Sequence, residues 1–391
     1  MKPESFGEDA SGQVCRTVDG YWAFVPDPLP PQLSWDSELA TALGNASVAL
    51  GELAGVGRSL PNPHLLIRPF MHQEAVVSSR IEGTQASLSE LFQYEAGQLA
   101  LLEDRSDTRE VHNYVRAIEY GLKRVEHLPV GLRLIRELHG LLMEGVRGEE
   151  RRPGQFRRTH NWIGPLNCTI ESAHYVPPPV PEMHEALNRL EQFVNSPLRL
   201  SPLVALALIH YQFEAIHPFL DGNGRIGRLL TTLLACEWRL TEQPLLYLSG
   251  YFEAHRDTYY DLLLAVSQRG AWEAWVAFFL RGIERQSRDA VARVKHLQDL
   301  RAYYRASVQA PRTPARLLDV VDMLFLYPVL TAPQVQRELK VTFQTAQNYI
   351  NRLVDLGFLR EVTGKGRKRL YAALDVIVAL EQVPGGARKA E

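Results

Sequence analysis

HPFLDGNGRIGR, running from His217 to Arg228, sets one imidazole, one carboxylate and two guanidinium groups within twelve positions. Ahead of it, Pro202 to Ile216 carries Leu203, Leu206, Leu208, Ile209 and Phe213 at near-helical spacing. Behind it, Ile226 to Trp238 is again apolar. The pattern predicts helix, tight loop, helix. Pro218 suits a turn just past a helix end. Gly222, Asn223 and Gly224 tolerate the backbone angles that turn successive N–H groups toward one point. A helix beginning near Arg225 aims its positive end at that point. Arg225 and Arg228 are three apart and share a helix face. The expectation is a phosphate cradle with His217 and Asp221 at its edge.

Outward from the loop, the chain has 391 residues, enough for two or three domains with their own cores. Hydrophobic content of 46% and charged content of 23% are ordinary for a globular protein. A formal net charge of -2 argues against whole-chain attraction to nucleic acid and leaves room for a local patch. Cys15, Cys168 and Cys236 are odd in number and far apart, so neither a disulfide framework nor a zinc site is expected. The first residues, MKPESFGEDASGQ, hold no apolar signal core, and no uninterrupted apolar run reaches membrane-spanning length. The expected setting is a reducing cytoplasm without membrane attachment.

Residues 1 to about 33 read as a Pro-rich extended arm. Helical patterns follow over 34–57, 65–81 and, after Gly83, over a segment with Ser87 or Ser89 as N-cap. Two more helices are expected within 107–146. Residues 151–181 lose the helical period, and a β-hairpin is expected near His160–Ile163 and His174–Val176. Helices resume over 182–195, 251–266 and 271–300. Trp272, Trp275, Phe278 and Phe279 read as core. A composition break around Ser307 to Pro314 marks a linker. Beyond it, three short helices and two strands about a basic tip read as a winged helix-turn-helix.

The chemistry follows from the loop. Backbone N–H groups at 222–224 suit phosphate oxygens, and Arg225 and Arg228 suit a polyphosphate. Asp221 offers a hard oxygen for Mg²⁺. His217 can take a proton from an attacking hydroxyl. Each feature alone has a bland explanation: a histidine before proline caps helices, DGNG is an ordinary turn, and paired arginines face solvent. Their joint occurrence between two apolar helices favours nucleotidyl or phosphoryl transfer. The spacing is not that of a P-loop, which needs a lysine after its glycines.

HPFLDGNGRIGR resembles the Fic family signature, HPFxDGNGRxxR, at every defined position. The likeness extends over most of residues 35 to 290, including QFR…NWIG…YVPPP and LLYLSGYFEAHRDTYYDLL. The resemblance implies a mainly α-helical Fic (Fido) core that moves AMP from ATP to a Ser, Thr or Tyr hydroxyl of a target protein, this chain itself included. It implies His217 as base and Asp221 as the Mg²⁺ ligand. It places Gly222, Asn223, Gly224, Arg225 and Arg228 on the phosphates, with Phe219 as buried anchor. Asn161–Tyr175 would form a flap that pairs with the target segment. His255 stands where relatives carry an adenine-side polar residue, often Asn.

SSRIEG, Ser78 to Gly83, resembles the family's inhibitory motif through Ser78, Glu82 and Gly83. A carboxylate on Arg228 would withhold that guanidinium from the terminal phosphate of ATP. The expected order is an N-terminal region with this helix over 1–110, the catalytic core over 111–300, a linker over 301–314 and the winged helix over 315–391. Lys365, Arg367, Lys368 and Arg369 at the wing tip suit DNA phosphates. Gln344, Gln347, Asn348 and Asn351 suit base edges. The readings left beside AMP transfer are a DNA-binding regulator with a nucleotide sensor, AMP removal through Glu82, and transfer of another phosphoryl or nucleotidyl group. The resemblance also implies a homodimer.

Overall fold

Two antiparallel strands open the chain, β1 (Gly12–Arg16) and β2 (Trp22–Pro26), with Cys15 opposite Ala23. This corrects the expected irregular arm. The signal lay in the Asp19-Gly20 turn: Gly20 takes φ 87°, and Thr17 N–H donates to Tyr21 O at 2.9 Å. The prolines follow the hairpin rather than fill it. The computed structural model describes residues 1–60, 62–97, 106–146, 152–165, 167–309, 314–362 and 369–382.

The helices in order are α1 (Ser37–Ser59), α2 (His64–Ile81), α3 (Leu88–Glu95), α4 (Ser106–Val125), α5 (Leu132–Leu142), α6 (Val180–Asn195), α7 (Pro202–Ile216) and α8 (Asn223–Glu237). They continue with α9 (Ser249–Ala254), α10 (Arg256–Arg269) and α11 (Trp272–Val308). The C-terminal module holds α12 (Arg316–Leu326), β3 (Val329–Leu330), α13 (Ala332–Leu339), α14 (Phe343–Asp355), β4 (Arg360–Glu361), β5 (Tyr371–Ala372) and α15 (Leu374–Glu381). Its strands lie in the order β3-β5-β4, all antiparallel, which is the winged helix-turn-helix expected.

The core is built around α7. Leu203 to Phe213 are all buried, so this helix is covered on every side. That burial fixes the loop after it, because a fully enclosed helix cannot slide or rotate. α2 ends at Glu82, and Gly83 at φ 97° stops it. A capping box of Ser87 and Glu90 then starts α3. α1 is long and apolar enough, by length and composition, to cross a membrane, although Glu38, Glu52 and Arg58 interrupt its apolar run. Its Leu39, Leu50 and Leu53 are buried, and it lies along α11.

Three further expectations change. Residues 301–308, assigned to the linker, are the last turns of α11. Tyr304 there is fully buried, stacks on Phe358 at 3.9 Å and donates to Asp375, while Arg301 and Arg305 both pair with Asp322. These contacts weld the module to the core, so a polar-looking segment is in fact a packed interface. The hairpin over 160–176 shrinks to one bridge, Ile163 opposite Tyr175. Gly164-Pro165 on one side and Pro177 to Pro179 on the other interrupt the pairing, since proline has no N–H to donate. The single helix read over 251–266 breaks at His255, which leaves helical geometry at φ -124° between α9 and α10.

Candidate active site

α7 ends where His217 adopts left-handed geometry, φ 48°, with its N–H still donating to Phe213 O at 3.0 Å. A non-glycine residue held there is uncommon and strained. The loop backbone is tied from both sides. Asn223 accepts from Phe219 N–H at 2.8 Å and donates to Phe219 O at 2.8 Å. Asn161 donates to the same carbonyl at 2.7 Å and to His217 O at 3.3 Å. Arg157, fully enclosed, donates to His217 O at 3.0 Å and to Pro178 O at 2.5 Å. Phe219 is buried and stacked on His139 at 3.7 Å. His139 accepts from Gly154 N–H at 2.9 Å through Nδ1, so its Nε2–H donates to Asp221 O at 3.1 Å. With the loop carbonyls so engaged, the start of α8 presents N–H groups. The first bond of that helix is Ile226 N–H to Gly222 O at 3.0 Å, which leaves Gly224 and Arg225 ahead of it.

The protonation of His217 follows from its neighbours. Burial, and then the nearby positive charge of Arg157, push its pKa down to about 4. The ring is therefore neutral at pH 7. Nδ1 lies 3.3 Å from Glu214 O. A carbonyl only accepts, so Nδ1 carries the hydrogen and Nε2 is left as a proton acceptor.

The two arginines are buried and matched to carboxylates. Arg228 donates from Nε to Ser78 Oγ at 2.8 Å and from Nη2 to Ser78 O at 2.9 Å. It also meets Glu82 Oε1 at 2.7 Å. Burial opposes its charge, yet Glu82 raises its pKa above the ordinary arginine value. Burial likewise works to raise the Glu82 carboxyl, but Arg228 beside it, helped by Arg225 and His217, holds it below its usual range. A β-carbon on Gly224 would collide with Glu82 Oε1, so this carboxylate lies over the α8 start where a phosphate would sit. Arg225 pairs with Glu110 of α4 at 3.2 Å and lies 3.6 Å from Asp221. Beneath them Glu214 is pushed up to about 8 by burial, against Arg228 and reinforced by Glu82.

The structure thus brings together Ser78, Glu82, His217, Asp221, Gly222, Asn223, Gly224, Arg225 and Arg228. Gly83 serves as the turn that places Glu82. His255 is exposed, its Nδ1 against Tyr251 O at 2.9 Å, and its ring contacts are with Tyr251 and Phe278. No hydrogen bond among the described residues ties it to the loop. Among those residues no three His, Cys, Asp or Glu side chains cluster as a metal centre. The donor set at the loop is a single carboxylate, Asp221, beside a phosphate cradle. That suits Mg²⁺, which is commonly held by one or two carboxylates together with substrate phosphates and water.

Sequence reasoning missed Arg157, Asn161, His139, Glu110 and Glu214 as parts of the site. Asn161 and Arg157 sit in the irregular segment ahead of α6, where polar residues amid prolines were the available signal. Glu110 and Glu214 sit in ordinary helical patterns and gave none. In the C-terminal module, Gln344 donates to Asn348 at 3.0 Å, and Gln347 donates to Asn351 at 2.9 Å and Tyr371 at 3.1 Å. Lys365, Arg367 and Lys368 lie outside the described residues. Arg369 stands 3.8 Å from Glu361, its partner on the facing strand.

Comparison with known proteins gives matches in three segments. Residues 40–123 match the Fic/DOC family N-terminal model, 129–235 the Fic/DOC family model and 317–374 an HTH DNA binding domain model. The protein adenylyltransferase Fic of Drosophila grimshawi is 34% identical over 130 residues, 32% of this chain and 25% of the relative. That of Drosophila virilis is 33% identical over 130 residues, 32% of this chain and 24% of the relative. The match spans about a quarter of these relatives' length. Among solved structures, a Fic family protein from Desulfovibrio desulfuricans has a TM-score of 0.55 at 19% identity, over 88% of this chain and 98% of the other. Fic-1 from C. elegans has a TM-score of 0.51 at 20% identity, over 67% and 74%. These two show a shared fold.

Proposed function

We propose, from the premise that this chain carries the Fic/DOC N-terminal and Fic/DOC regions followed by an HTH DNA binding domain, that it is an auto-inhibited protein adenylyltransferase. The observation that carries the reading is a neutral His217, its Nε2 free to accept a proton, at the lip of a cradle lined by two guanidinium groups. The adenylyltransferase names of the Drosophila relatives support the same chemistry.

In this reading ATP lays its phosphates across the N–H groups at the α8 start, with Arg225 and Arg228 as counter-charges. A target Ser, Thr or Tyr oxygen attacks the α-phosphorus, and its proton passes to His217 Nε2. The bond to pyrophosphate breaks, the leaving group takes its electron pair, and AMP stays on the target oxygen. Asp221 would hold Mg²⁺, whose chemistry is to neutralise phosphate charge. Arg157 and Asn161 keep the His217 carbonyl and the loop still, so the base is placed before substrate arrives. The bridge at Ile163 and Tyr175 is where a target segment would add as a strand.

Glu82 is the brake. It occupies the cradle and takes Arg228, so nucleotide must displace it. The test is incubation of Glu82→Gly and Glu82→Gly/His217→Ala with ATP labelled on the α-phosphate, alone and with a cell lysate. The expected result is label and a mass gain of one AMP with the first protein and none with the second. Bound ATP without any label would refute transfer and favour AMP removal, in which the same Glu82 would activate water.

The winged helix supports a second activity, DNA binding, because α14 displays the amides of Gln344, Asn348 and Asn351 on an exposed face. Selection from random duplexes followed by Asn348→Ala tests it. Recovery of no preferred sequence would leave the module as a protein contact.

A further inference from the structure

A cavity of about 460 Å³ lies along α2, towards its N-terminal side from the Glu82 end. Six residues of α2 between Phe70 and Arg80 form one wall, and α3, the segment ahead of α9, α9, α11 and α15 contribute the rest. It is separate from the nucleotide cradle: none of the loop residues 217–228 lines it. Its size is that of a small-ligand pocket.

Its lining contains polar groups that the described residues leave unsatisfied. Tyr247 is buried, and its hydroxyl has no hydrogen-bond partner. Arg293 Nε is buried without a partner, and among the described residues this guanidinium makes no ion pair within 4 Å; it lies 5.6 Å over the ring of Phe70. Burial pushes Arg293 down to about 10, against Asp289. Glu74 is buried in the same wall, accepts from Ser249 and Tyr114, and burial pushes it up to about 7. Buried polar atoms left without partners are costly, and most are met by water or a ligand.

The charges select the occupant. Four carboxyl groups (Glu74, Glu253, Asp289, Glu381) face the cavity against two guanidiniums, Arg80 and Arg293. Arg80 is already paired with Glu253 at 3.2 Å. Asp289 is paired with Arg285 at 3.5 Å and burial pushes Glu74 towards its neutral form, so a single carboxylate answers Arg293, an ammonium answers Glu381, and a polyphosphate would lack counter-charges. We infer that this cavity is a binding site for a small zwitterion of the free amino-acid class.

The site has a mechanical consequence. Glu74, Ser78 and Glu82 are spaced by four and form one stripe of α2. Glu74 belongs to the cavity, Ser78 and Glu82 hold Arg228. Tyr114 donates to Glu74 at 3.4 Å and also interacts with Ser78. A ligand that orders the α2 wall orders the helix that carries Glu82. Glu381 of the winged-helix module closes the same cavity, so the ligand also touches the DNA-binding end of the chain. The regulatory half of this inference rests on the adenylyltransferase reading; the binding half does not.

The experiment is thermal denaturation and calorimetry of the full chain with each of the twenty free amino acids at millimolar concentration. At least one is expected to raise the melting temperature and to bind with 1:1 stoichiometry. Arg293→Gln should weaken that binding tenfold or more. Val77→Phe, which fills the cavity and removes no charge, should do the same and covers the case in which Arg293→Gln fails to fold. No binding by any amino acid, or binding unchanged in both variants, overturns the site and leaves the cavity to water. With a binder in hand, label transfer from ATP should change at least threefold in the wild type and not in Glu82→Gly. Binding without that change refutes the coupling alone, and absence of label in every protein refutes the transferase reading alone.

Discussion

Replacing Glu82 by glycine should make the protein more active and less stable at once. Arg228 meets Glu82 at 2.7 Å, with the guanidinium nearly enclosed and the carboxylate a third exposed. A charge-assisted hydrogen bond of this kind is worth about 1.5–3 kcal/mol net. Lifting the repulsion between that carboxylate and a terminal phosphate adds on the order of 1 kcal/mol at an effective dielectric constant near 20. The exposed face of Glu82 lets water screen part of this, so about 2–3 kcal/mol is the working figure, a gain of roughly 30- to 150-fold in transfer rate. Arg228 does not swing free, because two of its bonds go to Ser78. Without nucleotide it is left with a buried charge and a second nitrogen, Nη1, that already lacks a partner. Breaking a buried pair from one side typically costs about 3–5 kcal/mol, and the partial exposure again argues for the lower end. The melting temperature of the free variant should fall by several degrees and recover when ATP supplies the missing anion. The assay pair is initial rate of label transfer at saturating ATP and thermal denaturation with and without ATP. A rate gain under threefold with ATP bound, or a variant as stable as the wild type without ATP, would refute the reasoning.

Other outcomes follow from the same geometry. Since burial and Arg157 hold His217 near pKa 4, its base form is complete well below neutrality, and the kcat/KM of Glu82→Gly should stay flat from about pH 5.5 to 7.5; a fall towards acid with a midpoint near 6.5, the ordinary histidine value, would refute the lowered pKa of His217. Arg157→Met deletes donors to the carbonyls of His217, Thr159 and Pro178, and should cost about 2–4 kcal/mol in urea denaturation. Glu214, pushed up to about 8 by burial and Glu82, contributes stability that is fully present below the unfolded carboxyl value and lost as pH rises through 8. The wild type should therefore lose melting temperature as pH rises from 4.5 to about 8, and Glu214→Gln should flatten that limb; an unchanged slope would count against a protonated Glu214. Glu110→Gln removes the buried partner of Arg225 and should raise KM for ATP more than it changes kcat, read from steady-state rates in the Glu82→Gly background.

The loop was legible because its chemistry is contiguous. Twelve successive residues carry the imidazole, the carboxylate, the N–H groups at the α8 start and both guanidiniums, and the flanking apolar runs fixed them between two helices. Glu82 was legible through a short motif, although its partner stands 146 residues away. What could not be read is what the fold assembles from distant segments. Arg157 reaches the loop from 60 residues upstream, and Glu110 reaches Arg225 across 115. No periodicity encodes such a contact. The first hairpin was lost to a different cause: Pro26, Pro28, Pro30 and Pro31 drew attention from the Asp19-Gly20 turn just before them. The linker reading failed for a third reason. Tyr303, Tyr304 and the arginines around them look solvent-facing on an isolated helix, and only docking of the C-terminal module buries Tyr304.

The pairing of charges around the cradle gives a physical reason why the proposed brake would belong in this fold. Arg225 and Arg228 are both buried, and a buried guanidinium without a counter-charge is more costly than most folds tolerate. An enzyme that must meet a polyphosphate needs these charges in place before ATP arrives, so something has to neutralise them in the free protein. Glu110 answers Arg225 from the side, on α4, and leaves the α8 start open. Glu82 answers Arg228 from above, lying over Gly224 itself. On the proposed reading, the first arrangement leaves the cradle open to nucleotide and the second does not, and inhibition would be the structural counter-ion placed on the substrate's side of the arginine. Moving a carboxylate from the position of Glu82 to a lateral one should separate the two roles: activity would rise as in Glu82→Gly while stability returned toward the wild type. Ser78→Asp in the Glu82→Gly background does this, since Ser78 already touches Arg228 through Nε. Melting temperature restored together with high transfer rate is the expected result. Restored stability with transfer again suppressed would show that any carboxylate on Arg228, whatever its direction, withholds the charge the phosphate needs.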